Sequence, residues 1–259
     1  MKTVVTGAGG RMGQAVLRAL KSDAAFTVHA GTERTGTTLI NTELAPGARV
    51  HASLEEAVKG AEVVIDFSSA EASLEHARAC AKAKVPIVIG TTGLTDAQRA
   101  ELTELGKSIA IVFSPNMSIG VNLMIEVAAQ LAQRLGESFE VDILESHHRD
   151  KKDAPSGTAL RLADEIAKAT GRTKADFRET RSGLIGQRPR KEIGIQTLRG
   201  GDVVGEHTVF YFGDGERLEL THRASSRDQF AKGALRAAKW VAGRAPGLYS
   251  MSDVLKVPR

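Results

Sequence analysis

The sequence predicts an α/β protein in two parts. A doubly wound parallel sheet comes first, followed by a second, α+β domain built on a mostly antiparallel open sheet. Three observations carry this. Over residues 1–118 short apolar runs alternate with amphipathic helical patterns, the mark of parallel strands covered on both faces. From residue 139 to 223 strand patterns dominate, with few helices between them. A glycine-rich loop joins the first strand to the first helix.

The first strand is KTVVT (2–6), and GRMGQAVLRALK after it is a helix. FTVHAGT (26–32), VVIDFS (63–68), PIVIGTT (86–92) and IAIVFS (109–114) are the next strands, with SAEASLEHARACAKA a helix among them. Crossovers of this kind are right-handed, which winds the sheet in both directions. Residues 119–135 then read as a helix with Met124, Val127, Ala128, Leu131 and Leu135 on one stripe. FEVDILESH (139–147) alternates as a half-buried strand does. EIGIQTLR (192–199), EHTVFYF (206–212) and ERLELTHR (216–223) follow, with Gly213-Asp214-Gly215 as a hairpin turn. The last helix, DQFAKGALRAAKWVAG (228–243), puts Phe230, Ala234, Ala237 and Val241 on one face and is expected to return to the first domain. The expected division is therefore 1–118 plus 227–259 against 119–226. Residues 171–191 form a long, arginine-rich connection, a type common in lids, intersubunit arms and surface loops.

At 259 residues the chain can bury a core without disulfides, and its single cysteine, Cys80, falls in a helical pattern as a small core residue. Met1 runs straight into KTVVTGAGG, unlike a signal peptide, and no apolar run could span a bilayer, so a cytoplasmic protein is expected. The net charge is +4, but aromatics are only 4% and the cations form no stripe, which speaks against nucleic acid. Neither HExxH nor paired cysteines occur, so no metal is expected.

The glycine loop reads VVTGAGGRMGQAV, with glycines at 7, 9, 10 and 13. Glycines let a pyrophosphate approach backbone N–H groups at a helix start, where the dipole is positive. The run Gly7, Ala8, Gly9, Gly10, Arg11, Met12 is thus a candidate dinucleotide cradle of Rossmann type, spaced as Gly7-x-x-Gly10-x-x-Gly13. The second strand ends at Glu33 and Arg34. A carboxylate there suits the free ribose hydroxyl of NADH, and a guanidinium suits the 2′-phosphate of NADPH. Two further strand ends, IGTTG (89–93) and FSPNMSIGVN (113–122), put Gly90, Thr91, Thr92, Ser114, Pro115, Asn116 and Met117 where a nicotinamide pocket lies in an open α/β sheet; Ser118 or Asn116 could equally cap a helix.

ESHHRDKKDAPSGTAL (145–160) concentrates titratable and cationic groups. If the strand continued, His147, Arg149 and Lys151 would share one side. Pro155 breaks it, and Ser156-Gly157-Thr158 opens a helix whose N-terminus can hold an anion. The segment reads as a carboxylate or phosphate pocket containing a proton donor, since histidine titrates near neutrality. A plain N-cap at Ser156 and a solvated DKKD turn are the alternatives. His29, His51, His76, His207 and His222 are isolated and read as structural or surface residues.

ESHHRDKKDAPSGTA resembles the signature of the dihydrodipicolinate reductase family, also called 4-hydroxy-tetrahydrodipicolinate reductases. GAGGRMG, TERTG, VIDFS, VIGTTG, FSPNMSIGVN, GDVVGEHTVFYF and LTHRASSRDQFAKGALRAA fall in the family's order, so the resemblance spans nearly the whole chain. It implies reduction of a cyclic imine dicarboxylate to tetrahydrodipicolinate with NADH or NADPH, in the diaminopimelate route to lysine. Hydride would go to ring C4, followed by protonation of the enamine at the neighbouring carbon. By motif position His147 is the general acid and Lys151 its catalytic partner, while His148, Gly157 and Thr158 hold substrate carboxylates. The resemblance also implies a homotetramer built through the second domain's sheet, and closure of the two domains. After VIDFS some members place an arginine; here Ser68-Ser69-Ala70 stands. Another two-domain amino-acid dehydrogenase, or a nicotinamide-sensing module without turnover, are the other readings of the first domain.

Overall fold

A computed structural model describes residues 1–256; the end of the expected first domain, 257–259, lies outside the described residues. The chain divides into two compact units, Met1–Ile119 with Arg227–Arg259, and Gly120–Ser226.

The first unit runs β1 (Lys2–Thr6), α1 (Arg11–Lys21), β2 (Thr27–Thr32), β3 (Glu43–Ala45), β4 (Ala48–His51), α2 (Leu54–Ala57), β5 (Val63–Asp66), α3 (Ala70–Ala83), β6 (Ile87–Ile89), α4 (Asp96–Leu105) and β7 (Ala110–Phe113). It resumes with α7 (Asp228–Val241), β13 (Gly247–Tyr249) and α8 (Met251–Leu255). The sheet order is β13-β7-β6-β5-β1-β2-β4-β3, parallel except where β3 pairs with β4. The apolar strands alternate after all, but between two cores. Val5, Ile65, Val88 and Val112 join α1, α7 and α8 on one face. Val4, Val64, Ile87, Ile89 and Ile111 join α2, α3 and α4 on the other. Each such side chain contributes about 1.5–3 kcal/mol on burial, and a charge at Val5 or Val64 would break the layer it faces.

Helix ends follow from local chemistry. Ser69 caps α3 through Ala72 N–H, and Lys84 ends it at φ 59°. Thr95 and Gln98 form a capping box at α4. On α7, Ala231, Ala234, Ala237, Ala238 and Val241 are buried. Gly233 of α7 touches the Met117 carbonyl so closely that a Cβ would collide with it. That contact holds the loop after β7 in place. Cys80 is fully buried, and burial pushes its thiol pKa up. Strands β3, β4 and β13 carry no extended apolar run, which is why sequence periodicity passes over them.

The second unit contains α5 (Ile119–Leu135), β8 (Glu140–His147), α6 (Gly157–Thr170), β9 (Phe177–Arg178), β10 (Ile193–Arg199), β11 (Gly205–Gly213) and β12 (Glu216–Ala224). Its sheet order is β12-β11-β8-β10-β9. Strands β12, β11 and β8 pair antiparallel; β10 joins β8 in parallel after the α6 crossover, and the short β9 joins β10 in parallel. Val141, Ile143, Ile193, Ile195, Val209 and Tyr211 pack against α5 and α6. The buried stripe of α5 is Val121, Met124, Ile125, Ala128 and Ala132, rotated from the expected one, with Val127, Leu131 and Leu135 only partly buried. Asp214 and Gly215 turn the hairpin, Gly215 at φ 82°.

The 171–191 connection is less irregular than its composition suggests. It carries a helical turn at Lys174–Asp176 and the strand β9. Arg181 donates to Glu192 and Arg188 to Asp142, so two of its arginines are tied to the sheet.

Candidate active site

In the first unit the carboxyl ends of β1, β5, β6 and β7 converge on a cavity of about 490 Å³. Gly10, Arg11, Met12, Gly90, Thr91, Thr92, Pro115, Asn116 and Met117 line it. The glycine loop has the required form. Gly7 turns at φ 60°, and Gly13 packs on the Gly7 carbonyl with no room for a Cβ. Helix α1 begins at N-cap Gly10 without a side-chain cap, leaving its positive end to an incoming anion. These features fit the pyrophosphate of a dinucleotide. Gly7, Ala8 and Gly9 do not line the cavity, and Ser114 is buried, donating to the Asn116 carbonyl at 2.7 Å. The Glu33 carboxylate accepts from Gly9 N–H at 3.0 Å and Arg34 N–H at 3.1 Å, which ties the end of β2 to the glycine loop. The Arg34 side chain is exposed. Phe67, Ser68, Arg227 and Phe230 also line the cavity. Sequence reasoning missed these four. Phe67 and Ser68 follow directly on β5, and Arg227 arrives from the far end of the unit.

Behind the cavity lies Asp66, fully buried at the end of β5. Its carboxylate accepts from Thr6, Ser68, Ser73 and Thr91 hydroxyls and from His76 Nδ1 at 2.8 Å. Burial opposes its ionisation, but His76, Ser73 and Thr6 outweigh that and hold its pKa below the usual range. His76 is therefore a partner of this carboxylate.

In the second unit β8 ends at His147, and the extended form stops there. A turn follows, closed by Lys151 N–H to the His148 carbonyl at 3.1 Å, so Arg149 and Lys151 do not continue the strand's face. His147 Nδ1 lies 2.6 Å from Glu145 Oε2. Glu145 is fully buried and also accepts from Arg199 at 2.9 Å on each oxygen, from Ser156 N–H at 2.9 Å and from Thr197 at 3.2 Å. Burial works against its ionisation, yet His147, Arg199 and Ser156 hold its pKa at about 2. Ser156 is the N-cap of α6, accepting from Ala159 N–H at 3.2 Å, and Gly157 and Thr158 form the helix's first turn. The helix dipole and those positions suit a carboxylate. Lys151 pairs with Asp153 at 2.9 Å and is about one-fifth exposed. His148 is half-buried in the same turn.

Of the two roles expected for His207, structural or surface, its burial excludes the surface one. It is buried, its Nε2 lies 3.2 Å from Ser156 Oγ, and its ring stands edge-on to His147 at 5.3 Å. Burial, then the neighbouring His147, drive its pKa down to about 3, so it is neutral beside His147. Glu145, Arg199 and His207 were missed because strand register, not sequence proximity, assembles them. Arg199 is paired with His147, and His207 with Glu145. The described residues contain no group of His, Cys, Asp and Glu able to hold a metal.

Comparison with known proteins adds a family. The model described as "Dihydrodipicolinate reductase, N-terminus" matches residues 1–117, and that described as "Dihydrodipicolinate reductase, C-terminus" matches residues 120–255. The chain is 54% identical to a 4-hydroxy-tetrahydrodipicolinate reductase of Myxococcus xanthus, over 100% of this chain and 99% of the relative. It is 47% identical to the reductase of Geobacter metallireducens, over 98% of each chain. It resembles the solved dipicolinate-bound dihydrodipicolinate reductase from Paenisporosarcina sp. TG-14 with a TM-score of 0.82 and 26% identity, covering 98% of this chain and 99% of that one. An amine dehydrogenase from Mycobacterium smegmatis, at 14% identity and TM-score 0.62, shares the fold alone.

Proposed function

The chain belongs to the dihydrodipicolinate reductase family, and from that premise we propose which of its residues perform the family's reaction. The protein is an oxidoreductase that reduces 4-hydroxy-tetrahydrodipicolinate to tetrahydrodipicolinate, in the diaminopimelate route to lysine. Its cofactor is NADH or NADPH, and the N-terminal unit is the nucleotide-binding one.

The bound nicotinamide supplies the hydride for ring C4. The proposed cradle for that cofactor is the loop Gly7–Met12 with Gly90–Thr92 and Ser114–Met117. Glu33 holds the ribose, and Arg34 adds a contact for a 2′-phosphate. The substrate is a small dicarboxylate. His148, Gly157 and Thr158 receive its carboxylates at the positive end of α6. His147 then gives a proton to the carbon next to the reduced one, and Lys151 keeps the pocket cationic against both carboxylates. The observation that carries these roles is His147 at a strand end, hydrogen-bonded to a buried carboxylate, in the same hydrogen-bonded cluster as the start of α6.

The assignment extends to a cytoplasmic homotetramer. The sheet face of the second unit turned away from α5 and α6 supports assembly, since Leu198 there is 53% exposed and Phe210 stacks with Phe212.

Cofactor oxidation in a coupled assay tests the function. The preceding synthase makes the cyclic substrate in place from pyruvate and aspartate semialdehyde, with NADH and NADPH run in parallel. Oxidation that requires the synthase is expected. Cofactor binding without oxidation would move the reading to another dehydrogenase or a sensor.

A further inference from the structure

One carboxylate joins the two functions assigned to the second unit. Glu145 Oε2 faces His147 Nδ1 at 2.6 Å, and Oε1 accepts the Ser156 N–H at 2.9 Å, immediately before Gly157 and Thr158. We propose that Glu145 is a positioning residue that sets the protonation of His147 and seats the start of α6, with Arg199 opposing its effect on the histidine. This rests on the reading of His147 as the proton donor.

The argument begins with what a carboxylate can do. Ionised Glu145 only accepts hydrogen bonds, so His147 Nδ1 carries a hydrogen and donates it. The proton that leaves the imidazolium is then the one on Nε2. That nitrogen faces Gly205, where a Cβ would stand 3.0 Å away. Glycine keeps the approach to the donating nitrogen open. After transfer the imidazole is neutral and still donates Nδ1–H to Glu145, so its orientation survives the reaction.

The charges around His147 come from every neighbouring element. Glu145 is on its own strand, Arg199 on β10 and His207 on β11; His222 on β12 stands opposite His207, and Lys151 and Asp153 lie in the turn that follows. Of these, Glu145 is the anion in contact and favours the imidazolium. The Arg199 guanidinium, 2.9 Å from both Glu145 oxygens, cancels part of that field. His207 is neutral and adds no charge. A lone buried carboxylate would hold the proton too firmly for transfer near neutral pH. The Glu145–Arg199 pair keeps the donor oriented while leaving its acidity useful. The other Glu145 oxygen ties the same unit to the helix turn that receives a carboxylate, so donor and anion seat move together.

The test is the pH profile of kcat/KM for the cyclic dicarboxylate, measured on the full chain with the synthase in excess at each pH. The variants are Glu145→Gln, Glu145→Ala, Arg199→Met and His147→Gln. Removing the anion destabilises the imidazolium, so E145Q moves the alkaline limb down by about one pH unit or more. Removing the cation does the opposite, so R199M moves it up. A purely structural role would not produce shifts of opposite sign. The R199M shift carries the claim if E145Q does not fold. Glu145→Ala, which leaves Ser156 N–H without its acceptor, also raises KM for the dicarboxylate about tenfold. No shift in either variant, or shifts of the same sign, while H147Q lacks the limb, overturns the role of Glu145 and leaves the donor standing. A limb that persists in H147Q overturns the donor assignment and this inference with it. An unchanged KM in E145A overturns the link to α6.

Discussion

The two units each bury one carboxylate completely, Asp66 at the end of β5 and Glu145 near the end of β8, and the partners differ in kind. Asp66 is held by four hydroxyls and one histidine, drawn from β1, α3 and the segments after β5 and β6. Glu145 is held by a guanidinium, an imidazole, a backbone N–H and one hydroxyl. Hydroxyls fix geometry without bringing charge, which is what a cofactor cradle needs. Each carboxylate has one imidazole partner, so what sets Glu145 apart is the Arg199 guanidinium, a fixed charge beside a movable proton, which is what an acid catalyst needs. Like burial thus serves two purposes, and the donor set tells them apart.

The comparison can be broken at several points. The largest effect is expected at the donor itself. His147→Ala lowers kcat about 10²–10⁴-fold and Lys151→Ala about 10²-fold, both with NADH affinity nearly unchanged. Equal loss of cofactor binding in fluorescence titrations would show that these residues belong to the other half. Asp66→Ala comes next. It leaves His76 and several buried donors without their acceptor and costs about 3 kcal/mol of stability, read as a fall in the urea midpoint, together with weaker NADH binding. A variant with unchanged midpoint would show that the hydroxyls reorganise freely.

Acid sharpens the contrast. The folded pKa of His207, about 3, lies below its unfolded value near 6.5, so the unfolded chain takes up that proton first as pH falls. Stability fully present at neutral pH is therefore lost at about 1.4 kcal/mol per unit below pH 6.5. Glu145 adds a second loss between its unfolded value of 4.5 and its folded value of about 2. Urea unfolding of His207→Asn should lack the first slope; an unaltered slope would contradict the burial of a neutral imidazole. The smallest effect is at the ribose corner. Arg34→Ala lowers the NADPH/NADH ratio of kcat/KM about tenfold, and an unchanged ratio would remove Arg34 from cofactor choice.

Most of the first unit was legible because its strands are apolar on both faces and its glycine loop sits at a required place between strand and helix. The signature segment likewise singled out His147 and Lys151, whose proposed roles the variants above test. What stayed hidden depends on distance in sequence. Arg227 and Phe230 reach the cavity only because α7 returns to the first unit. Arg199 meets Glu145 only through the parallel register of β10 with β8, and His207 only through the antiparallel register of β11. His207 and His76 looked isolated because a lone histidine in a strand or helix carries no local signal of its partner. Glu145 carried one, since a residue two before His147 on a strand shares its face. The turn at 148–151 was concealed by the same alternation, because nothing in HHRDKK marks where extension ends.

The central claim is a division of labour between the two buried carboxylates. The most direct measurement is NADH affinity and the kcat/KM pH profile on the same preparations of Asp66→Asn and Glu145→Gln. The account predicts that D66N weakens NADH binding and leaves the alkaline limb in place, while E145Q shifts the limb and leaves NADH binding unchanged. Both variants altering the same parameter, or the two effects exchanged, would contradict it.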